Sequence, residues 1–469
     1  MNDIGFELPA PRLSPPLDPD FRPAALADQA FQRAARKTGG AQKIELALEQ
    51  ADGSMCRHET EILPANHPRA GLNFRRVERL LKFLLWSRGG CKIYFSGPAT
   101  LAAELRRYYR ESGPGKFDAH IMGERIYERP FEIVEVGPGE MPAARSSTAP
   151  LGRHLEGCRI GFDLGGSDRK VAALIDGKCV FSEEVVWSPI VESDPQWHFD
   201  QIMESLRSAA AHLPRVDAIG GSAAGVYVNN RVKVASLFRG VPPALFETRV
   251  KDIFLELRKA WNGIPFEVVN DGEVTALAGS MALGRNGVLG LAMGTSQAAG
   301  YVTREGNITS WLNELAFAPV DHRQDGPLDE WSGDRGCGAL YFSQQAVGRL
   351  CGAAGIDVPA EMPLPEKLKR VQHLMEKEDP RARQIYETIG VYLGYSIAYY
   401  TSFYDFSHLL ILGRVTSGEG GGIIVRTAES VLQSEFPELA EKIRLHTPDE
   451  RDKRHGQAIA AASLPSLTR

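Results

Sequence analysis

Hydrophobic and polar residues alternate with two different periods along this chain, and the pattern predicts a mixture of strands and helices. Strict alternation at Lys43–Gln50 is typical of a half-buried strand. Asp52-Gly53 predicts a hairpin turn into a second strand that ends near Leu63. Apolar residues at helical spacing follow Asn73, which we interpret as an N-cap, and Gly89-Gly90 ends the predicted helix.

A buried strand at residues 91–95 separates this helix from the next one, near residues 99–109. Residues 41–137 are therefore predicted to form a small α/β domain of unknown role. A helix-turn-helix needs two helices joined by a short turn, so the intervening strand argues against a DNA-binding domain. We interpret the basic residues Arg75, Arg76 and Arg79 as the solvated face of an amphipathic helix.

Proline and alanine dominate the residues that precede this domain. Because no periodic pattern is present there, residues 1–40 are predicted to be a disordered or extended arm. A second proline-containing stretch, with Ser146-Ser147-Thr148, predicts a linker at residues 138–157. Regular alternation of strands and helices resumes at residue 158 and predicts a second domain.

The first strand of this second domain leads into a glycine turn that can bind phosphate. Its residues are Asp163, Gly165, Gly166, Ser167 and, in the returning strand, Lys170. Glycine lets the backbone approach a phosphate without a Cβ clash. Ser167 and Lys170 can donate to phosphate oxygens, and Asp163 can hold a magnesium ion, directly or through water. The sequence leaves open whether Lys170 points to phosphate or to solvent.

A short apolar strand at residues 266–269 carries a second carboxylate, in Asn270-Asp271, at its carboxyl end. A small-residue helix follows, and the next strand ends in Gly294, Thr295 and Ser296. Open α/β sheets bind ligands at the carboxyl ends of their strands. Asp271 could therefore accept a proton from a hydroxyl group while the backbone at Gly294–Ser296 holds a polyphosphate. Two plain turns would explain the same residues.

A third glycine turn follows a buried strand at residues 408–412. Gly413 and Gly418 precede a helix, and the partial positive charge of its N-terminus makes this turn a candidate nucleotide contact. A plain strand-to-helix connection fits equally well. Helices are also predicted at residues 338–351, 363–377 and 380–404, where apolar positions recur at helical spacing.

Composition narrows the classes of function. The 469 residues are 43% hydrophobic and 24% charged, which is ordinary for a globular protein of two or three domains. A net charge of −5 gives no basic excess for nucleic acid or a membrane surface. The six cysteines form no CxxC pair, and no signal peptide or membrane-length apolar run is present. We therefore expect a cytoplasmic protein with no nucleic-acid or membrane partner.

The order of these motifs resembles the actin, sugar-kinase and Hsp70-type ATPase superfamily, and within it the ROK family of sugar kinases and regulators. The resemblance covers roughly residues 158–465. It implies an α/β protein with a two-lobed, ribonuclease-H-like fold and an extra N-terminal domain. The lobes would be residues 158–275 and 276–469.

The resemblance also implies roles for individual residues. Asp163 to Ser167 resemble the first phosphate motif, Gly294-Thr295 the second, and Leu412-Gly413 the adenosine motif. Asn270 resembles the sugar-binding Asn, Asp271 the catalytic base, and Glu314 the sugar-binding Glu. For Glu314 an ordinary surface position stays open.

Several family residues are replaced in this chain. The family's motif His, a zinc ligand, is Phe317 here, and its zinc cysteines align with Glu330, Ser332 and Cys337. We therefore predict no zinc. A further sugar-binding Glu falls near Ala339, and the second glycine of the adenosine motif is Arg414.

The resemblance implies an ATP- and magnesium-dependent kinase, a homodimer, that phosphorylates a sugar or sugar-like polyol with Asp271 as general base. The replaced residues favour an alternative, a catalytically inactive sugar- or nucleotide-sensing regulator on the same fold. ATP consumption, compared with that of Asp271→Asn, separates the two.

Overall fold

The computed structural model describes residues 8–50, 53–145, 151–447 and 453–467. Its helices are α1 Ala24–Lys37, α2 Leu72–Arg88, α3 Ala99–Glu111, α4 Gly113–His120, α5 Pro195–Ala210, α6 Pro243–Leu245, α7 Ile253–Ala260, α8 Asp271–Leu283, α9 Gln344–Ala353, α10 Leu364–Glu376, α11 Pro380–Tyr400, α12 Glu419–Glu435, α13 Pro437–Lys442 and α14 Lys453–Ala462. Its strands are β1 Gln42–Glu49, β2 Met55–Ile62, β3 Lys92–Ser96, β4 Glu132–Glu135, β5 Cys158–Leu164, β6 Asp168–Ile175, β7 Lys178–Val186, β8 Ala218–Ala223, β9 Val226–Val228, β10 Arg231–Val234, β11 Phe266–Asn270, β12 Val288–Met293, β13 Gln297–Val302, β14 His408–Leu412 and β15 Arg444–His446.

Two sheets of the second domain give the protein two lobes. The first lobe has the strand order β11-β8-β5-β6-β7, in which β5 and β6 are antiparallel and β5, β8 and β11 run parallel. The second lobe has the order β13-β12-β14-β15, with β12 and β13 antiparallel. The turns between β5 and β6 and between β12 and β13 are the two predicted glycine hairpins.

Helix α14 returns to the first lobe, although the sequence assigned residues 276–469 to the second. It packs on β5, β6 and β8 and also contacts α8. A Cβ atom on Gly161 would lie 1.7 Å from the carbonyl oxygen of Ala458, and one on Gly220 would lie 1.7 Å from that of Ala461. The missing side chains let the helix backbone lie directly on the sheet. The predicted boundary at 276 is therefore wrong for α14.

The N-terminal sheet has the order β2-β1-β3-β4, with β1 antiparallel to both β2 and β3. Gly53, with φ at +81°, takes part in the predicted turn between β1 and β2, while Asp52 lies outside the described residues. Helix α2 begins at Leu72, so Asn73 is not its N-cap. The side chain of Asn73 instead donates to the carbonyl of Leu63 at 2.8 Å and accepts from its amide at 3.0 Å.

The prediction of a disordered or extended arm at residues 1–40 is wrong for residues 24–37, and residues 8–23, which form no helix or strand, pack against α11. Residues 24–37 form α1, and Phe21 is fully buried against the rings of Tyr392 and Tyr395 in α11. The backbone amide of Leu17 donates to the hydroxyl of Thr388 at 3.2 Å. Burial of apolar surface stabilises this segment against α11, a contact too distant in sequence to read from local pattern.

The interpretation of Arg76 and Arg79 as a solvated face is also wrong, because α2 is buried between the N-terminal sheet and the second lobe. Phe83 stacks on Phe403, with ring centroids 4.1 Å apart. Arg76 pairs with Asp28 at 2.9 Å, and Arg79 pairs with Asp334 at 2.8 Å. One apolar cluster runs continuously through the N-terminal domain and the second lobe.

A buried ion cluster lies at the same junction. Lys82, which is 0% exposed, contacts Asp118 at 3.0 Å and Asp334 at 3.0 Å. Burial raises the pKa of Asp334, but the charges of Arg79 and Lys82 outweigh it and hold that pKa well below its usual range. The charges in this cluster depend on one another, because a buried charge without a counter-ion lowers the free energy of unfolding strongly.

Candidate functional site

Asp271 is the first residue of α8 and lies at the carboxyl end of β11. Asn270 caps the helix: its Oδ1 accepts from the amide of Gly272 at 2.7 Å, and its Nδ2 donates to the carbonyl of Gly225 at 2.7 Å. The Asp271 carboxylate accepts from the same Gly272 amide at 3.0 Å, and the residue as a whole is half-buried. The helix start and the position of the carboxylate are therefore fixed.

The start of α8 packs tightly on β13, the strand that leaves the second hairpin. A Cβ atom on Gly300 would lie 2.2 Å from the carbonyl oxygen of Gly272, and one on Gly272 would lie 2.4 Å from that of Ala299. Side chains at either glycine would separate the helix from the strand. The two glycines therefore hold the start of α8, and with it Asp271, against β13.

The first hairpin presents exposed backbone next to buried carboxylate. Gly166 and Ser167 are exposed, whereas Asp163 is buried and accepts from Ser222 Oγ at 2.6 Å. Lys170 Nζ lies 2.9 Å from Asp168 and 3.8 Å from Asp163, so this amine faces carboxylates at the hairpin. Burial raises the pKa of Asp163, and the hydrogen bond from Ser222 and the charge of Lys170 oppose this shift.

The second hairpin and the third glycine turn lie side by side. Thr295 and Ser296 are exposed, and the Gly294 amide donates to the carbonyl of Ser296 at 3.0 Å. Gly413 has a φ of +102°, and a Cβ atom there would lie 2.6 Å from the carbonyl oxygen of Met293. Gly418, with φ at +69°, caps α12. The structure therefore brings Gly294 and Gly413 together at the carboxyl ends of β12 and β14.

The two lobes also face each other at the hairpins. Arg414 of the second lobe lies close enough to Asp168 of the first for its charge to act on that carboxylate. Burial raises the pKa of Asp168, but hydrogen bonds from Lys170 and Ser167 and the charges of Lys170 and Arg414 give a net lowering. Arg414, which stands where the resemblance places the second glycine of the adenosine motif, therefore brings a positive charge near the first hairpin.

A cavity of about 240 Å³ lies beside Asn270 and the start of α8. Its walls come from both lobes and from the N-terminal domain and combine apolar with polar side chains; the polar and aromatic ones include Gln50, Tyr127, Tyr227, Asn229, Asn230, Glu267, Asn270, Glu273, Ser310, Trp311 and Glu314. Glu314 is only partly exposed, so it is a cavity wall rather than an ordinary surface acid.

The carboxylates in and beside this cavity repel one another. Burial, followed by the charge of Asp163, raises the pKa of Asp271 to about 6. Burial, followed by the charge of Asp271, raises the pKa of Glu314 to about 7. Burial also raises the pKa of Glu273 to about 8, against a hydrogen bond from Asn313. Asp271 is thus electrostatically coupled both to the first hairpin and to the cavity.

Sequence reasoning missed the part of this cavity that the N-terminal domain contributes. Gln50 follows β1 and Tyr127 ends a π-helical turn at Ile121–Tyr127, so neither lies near the lobe motifs in sequence. Trp311 lines the cavity and stacks on Tyr301 with centroids 5.3 Å apart. The guanidinium of Arg88 lies 3.5 Å from its ring.

Three of the four residues at the expected zinc-ligand positions pack or bond within the protein, while Glu330 is exposed. Phe317 contacts Trp86 of α2, with ring centroids 4.3 Å apart. Ser332 donates to Asp329, and burial raises the pKa of the Cys337 thiol to about 12. Across the described ranges, no group of three or more His, Cys, Asp or Glu side chains could hold a metal ion. None of the described helices is long and apolar enough to span a membrane.

Comparisons with known proteins identify the fold. No family model matches the sequence, and no curated relative matches it. The ROK hexokinase of Thermus thermophilus is 20% identical with a TM-score of 0.51, and the match covers 65% of this chain and 96% of that one. A ROK family transcriptional regulator, a homologue of the E. coli MLC protein, is 19% identical with a TM-score of 0.52, covering 78% and 89%.

These likenesses, at low identity, concern the fold. They agree with the two mixed sheets, the paired hairpins and the α/β composition of both lobes. The resemblance drawn from the sequence is confirmed at this level: the chain has the two-lobed α/β fold of the ROK sugar kinases and ROK regulators.

Proposed function

We propose that the protein is an ATP-dependent phosphotransferase that phosphorylates a hydroxyl group of a sugar or sugar-like polyol, with Asp271 as the general base. One observation carries the proposal. Asp271 lies partly exposed at the start of α8, is coupled to Asp163 at the first hairpin and to Glu314 in the cavity, and is packed next to the strand of the second hairpin. A base must reach both the acceptor and the phosphoryl donor.

The cavity suits a small polyol. Amide and carboxylate side chains such as Asn229, Glu267 and Glu314 offer donors and acceptors to hydroxyl groups, and Trp311 offers an aromatic face. Asn270 Nδ2 and Oδ1 already bond Gly225 and Gly272, so its part is to hold the helix start beside the substrate. In the proposed reaction Glu314 orients the substrate, and Asp271 takes the proton of the attacking hydroxyl.

The hairpins supply the polyphosphate side. Exposed backbone at Gly166-Ser167 and Thr295-Ser296, with glycines at 413 and 418, can approach phosphate oxygens closely. Magnesium prefers oxygen ligands, which Asp163 and Asp168 provide, and when bound it neutralises charge on the transferred phosphoryl group. Lys170 sits between those two carboxylates and holds them in place.

The sharpest test measures sugar-dependent ADP formation by the purified protein. A panel of hexoses, hexosamines and polyols is offered with ATP and magnesium, and binding is followed separately by thermal shift. Turnover on at least one member supports the proposal. Binding of a sugar without turnover of any sugar in the panel contradicts the kinase proposal and supports the sensing regulator. Both functions are compatible with this fold, because fold alone does not determine function.

The proposed base predicts a pH dependence. Because the pKa of Asp271 is about 6, kcat/KM should be constant above about pH 7 and fall by about tenfold per pH unit below pH 6, as Asp271 becomes protonated. Asp163 raises that pKa through its negative charge, so Asp163→Asn should move the midpoint to lower pH in whatever activity it retains. A profile with its midpoint near 4 in the unaltered protein would contradict the assignment.

A further inference from the structure

The last turn of α2 holds the segment that carries Glu314. The amide of Glu314 donates to the carbonyl of Trp86 at 2.8 Å, and the amide of Asn313 donates to the carbonyl of Ser87 at 3.0 Å. The last four carbonyls of a helix have no partner inside the helix, so they are free to accept such bonds. Two bonds from one helix end therefore fix both the position and the direction of this segment.

The conformation of Asn313 is fixed as well. Its φ of +51° is uncommon for a residue with a side chain, and three contacts support it. Its Nδ2 donates to the buried carboxyl of Glu273, and its Oδ1 accepts from Tyr404 Oη at 2.7 Å. Its backbone amide donates to the carbonyl of Ser87 in α2. Glu314, the next residue, is directed into the cavity by this arrangement.

Two side chains of the N-terminal domain line the same cavity. Gln50 is buried; its Nε2 donates to the carbonyl of Arg88 at the end of α2, and its Oε1 accepts from Ser310 Oγ at 3.2 Å. Tyr127 is buried to a similar degree and lies against Gly89, where a Cβ atom would overlap the tyrosine hydroxyl. The cavity is therefore bounded on this side by the N-terminal domain.

The residue after Tyr127 reaches the opposite lobe. Glu128, with φ at +54°, pairs with Lys233 at 3.1 Å and with Lys251 at 2.6 Å, both in the first lobe. The N-terminal domain shares its apolar core with the second lobe and contacts the first lobe through this acid. It therefore spans the cavity from one lobe to the other.

We infer that the N-terminal domain, residues 42–135, is part of the substrate-binding site, where it positions Glu314 and closes the cavity at Gln50 and Tyr127 so that the occupant is a single sugar unit. The inference rests on the proposed function for the nature of the ligand. The cavity is partly open to solvent, and its volume of about 240 Å³ is below the roughly 300–1,000 Å³ of pockets for drug-sized ligands, so within its walls it suits one ring rather than an oligosaccharide.

Binding measurements on the full chain test this inference. Tyr127→Ala and Gln50→Ala are titrated by calorimetry with glucose, mannose, N-acetylglucosamine and maltose, and separately with ADP. Each variant should bind the preferred monosaccharide about tenfold more weakly, Tyr127→Ala because a ring contact is lost and Gln50→Ala because the cavity wall at Ser310, which Gln50 bonds, is no longer held in place. Tyr127→Ala should in addition accept maltose, while the affinity for ADP stays unchanged in both.

Tyr94→Ala is the matched control, because Tyr94 belongs to β3 of the same domain, bonds Glu49 at 2.9 Å and is not a wall of the cavity. Should Tyr127→Ala fail to fold, Tyr127→Phe and Gln50→Ala carry the test. Unchanged monosaccharide affinity in these variants overturns the inference. Sugar binding by the parent without ADP formation, weakened in the variants, overturns the kinase proposal and leaves the inference standing.

Discussion

Replacing Asp271 by asparagine is expected to lower kcat by about 10²- to 10⁴-fold, the usual contribution of a general base. Asparagine has nearly the shape of aspartate and can still accept from the Gly272 amide, so the start of α8 should be preserved. The substrate hydroxyl then keeps its place but has no group to receive its proton. Steady-state ADP formation on the preferred sugar measures the loss.

The control for this variant is Asp200→Asn, because Asp200 is an exposed carboxylate on α5 whose contact is with Gln196 of the same helix. Its kcat should equal that of the unaltered protein. Asp271→Asn should also keep its melting temperature and bind the sugar with similar affinity. A variant that turns over at more than a tenth of the normal rate would show that another group is the base.

The second large effect is expected in stability. Lys82→Met should destabilise the protein by about 3–5 kcal/mol. The change removes the lysine that pairs with the buried Asp118, and it removes one of the two cations that pair with Asp334, the other being Arg79. Methionine fits the volume, so the loss reports charge and not a cavity. The melting temperature measures it, and adding Asp118→Leu should recover a part, since replacing both members of a buried pair is tolerated better than removing one.

Lys116→Met is the matched control, since Lys116 is exposed on α4 in the same domain. Its melting temperature should not change. The cluster also predicts the acid side of the stability profile: the depressed pKa of Asp334 contributes stability above the unfolded-state pKa near 4, and this is lost as pH falls through the folded value. An unchanged melting temperature in Lys82→Met would show that the cluster is not stabilising.

Elements with a local signature could be predicted from the sequence. The glycine hairpins at 165–167 and 294–296 each follow an apolar strand. Asp271 lies between a short strand and a helix of small residues. In both cases the residues adjacent in sequence are enough to predict the local structure. Helices such as Pro380–Tyr400 have regular apolar spacing, and the predicted first residue of this helix is the one found in the structure. The site roles of these residues remain predictions.

Elements that depend on distant partners could not be predicted. From the sequence Arg79 is expected to be solvated, because its ion-pair partner, Asp334, lies far along the chain. Phe21 has no local partner, and its ring contacts in α11 decide that the N-terminal segment is ordered. The contributions of Gln50 and Tyr127 to the cavity are of the same kind, because they follow from docking of one domain on another.

The return of α14 to the first lobe has a consequence for biosynthesis. The sheet that begins at Cys158 stays uncovered on one face until residues 453–462 have left the ribosome. Folding in order of synthesis is therefore ruled out for that lobe, and a nascent chain carries an open apolar surface through most of translation, when aggregation competes with folding. Ribosome-stalled chains ending before residue 453 should accordingly bind chaperones, whereas chains with residue 467 clear of the exit tunnel should be released.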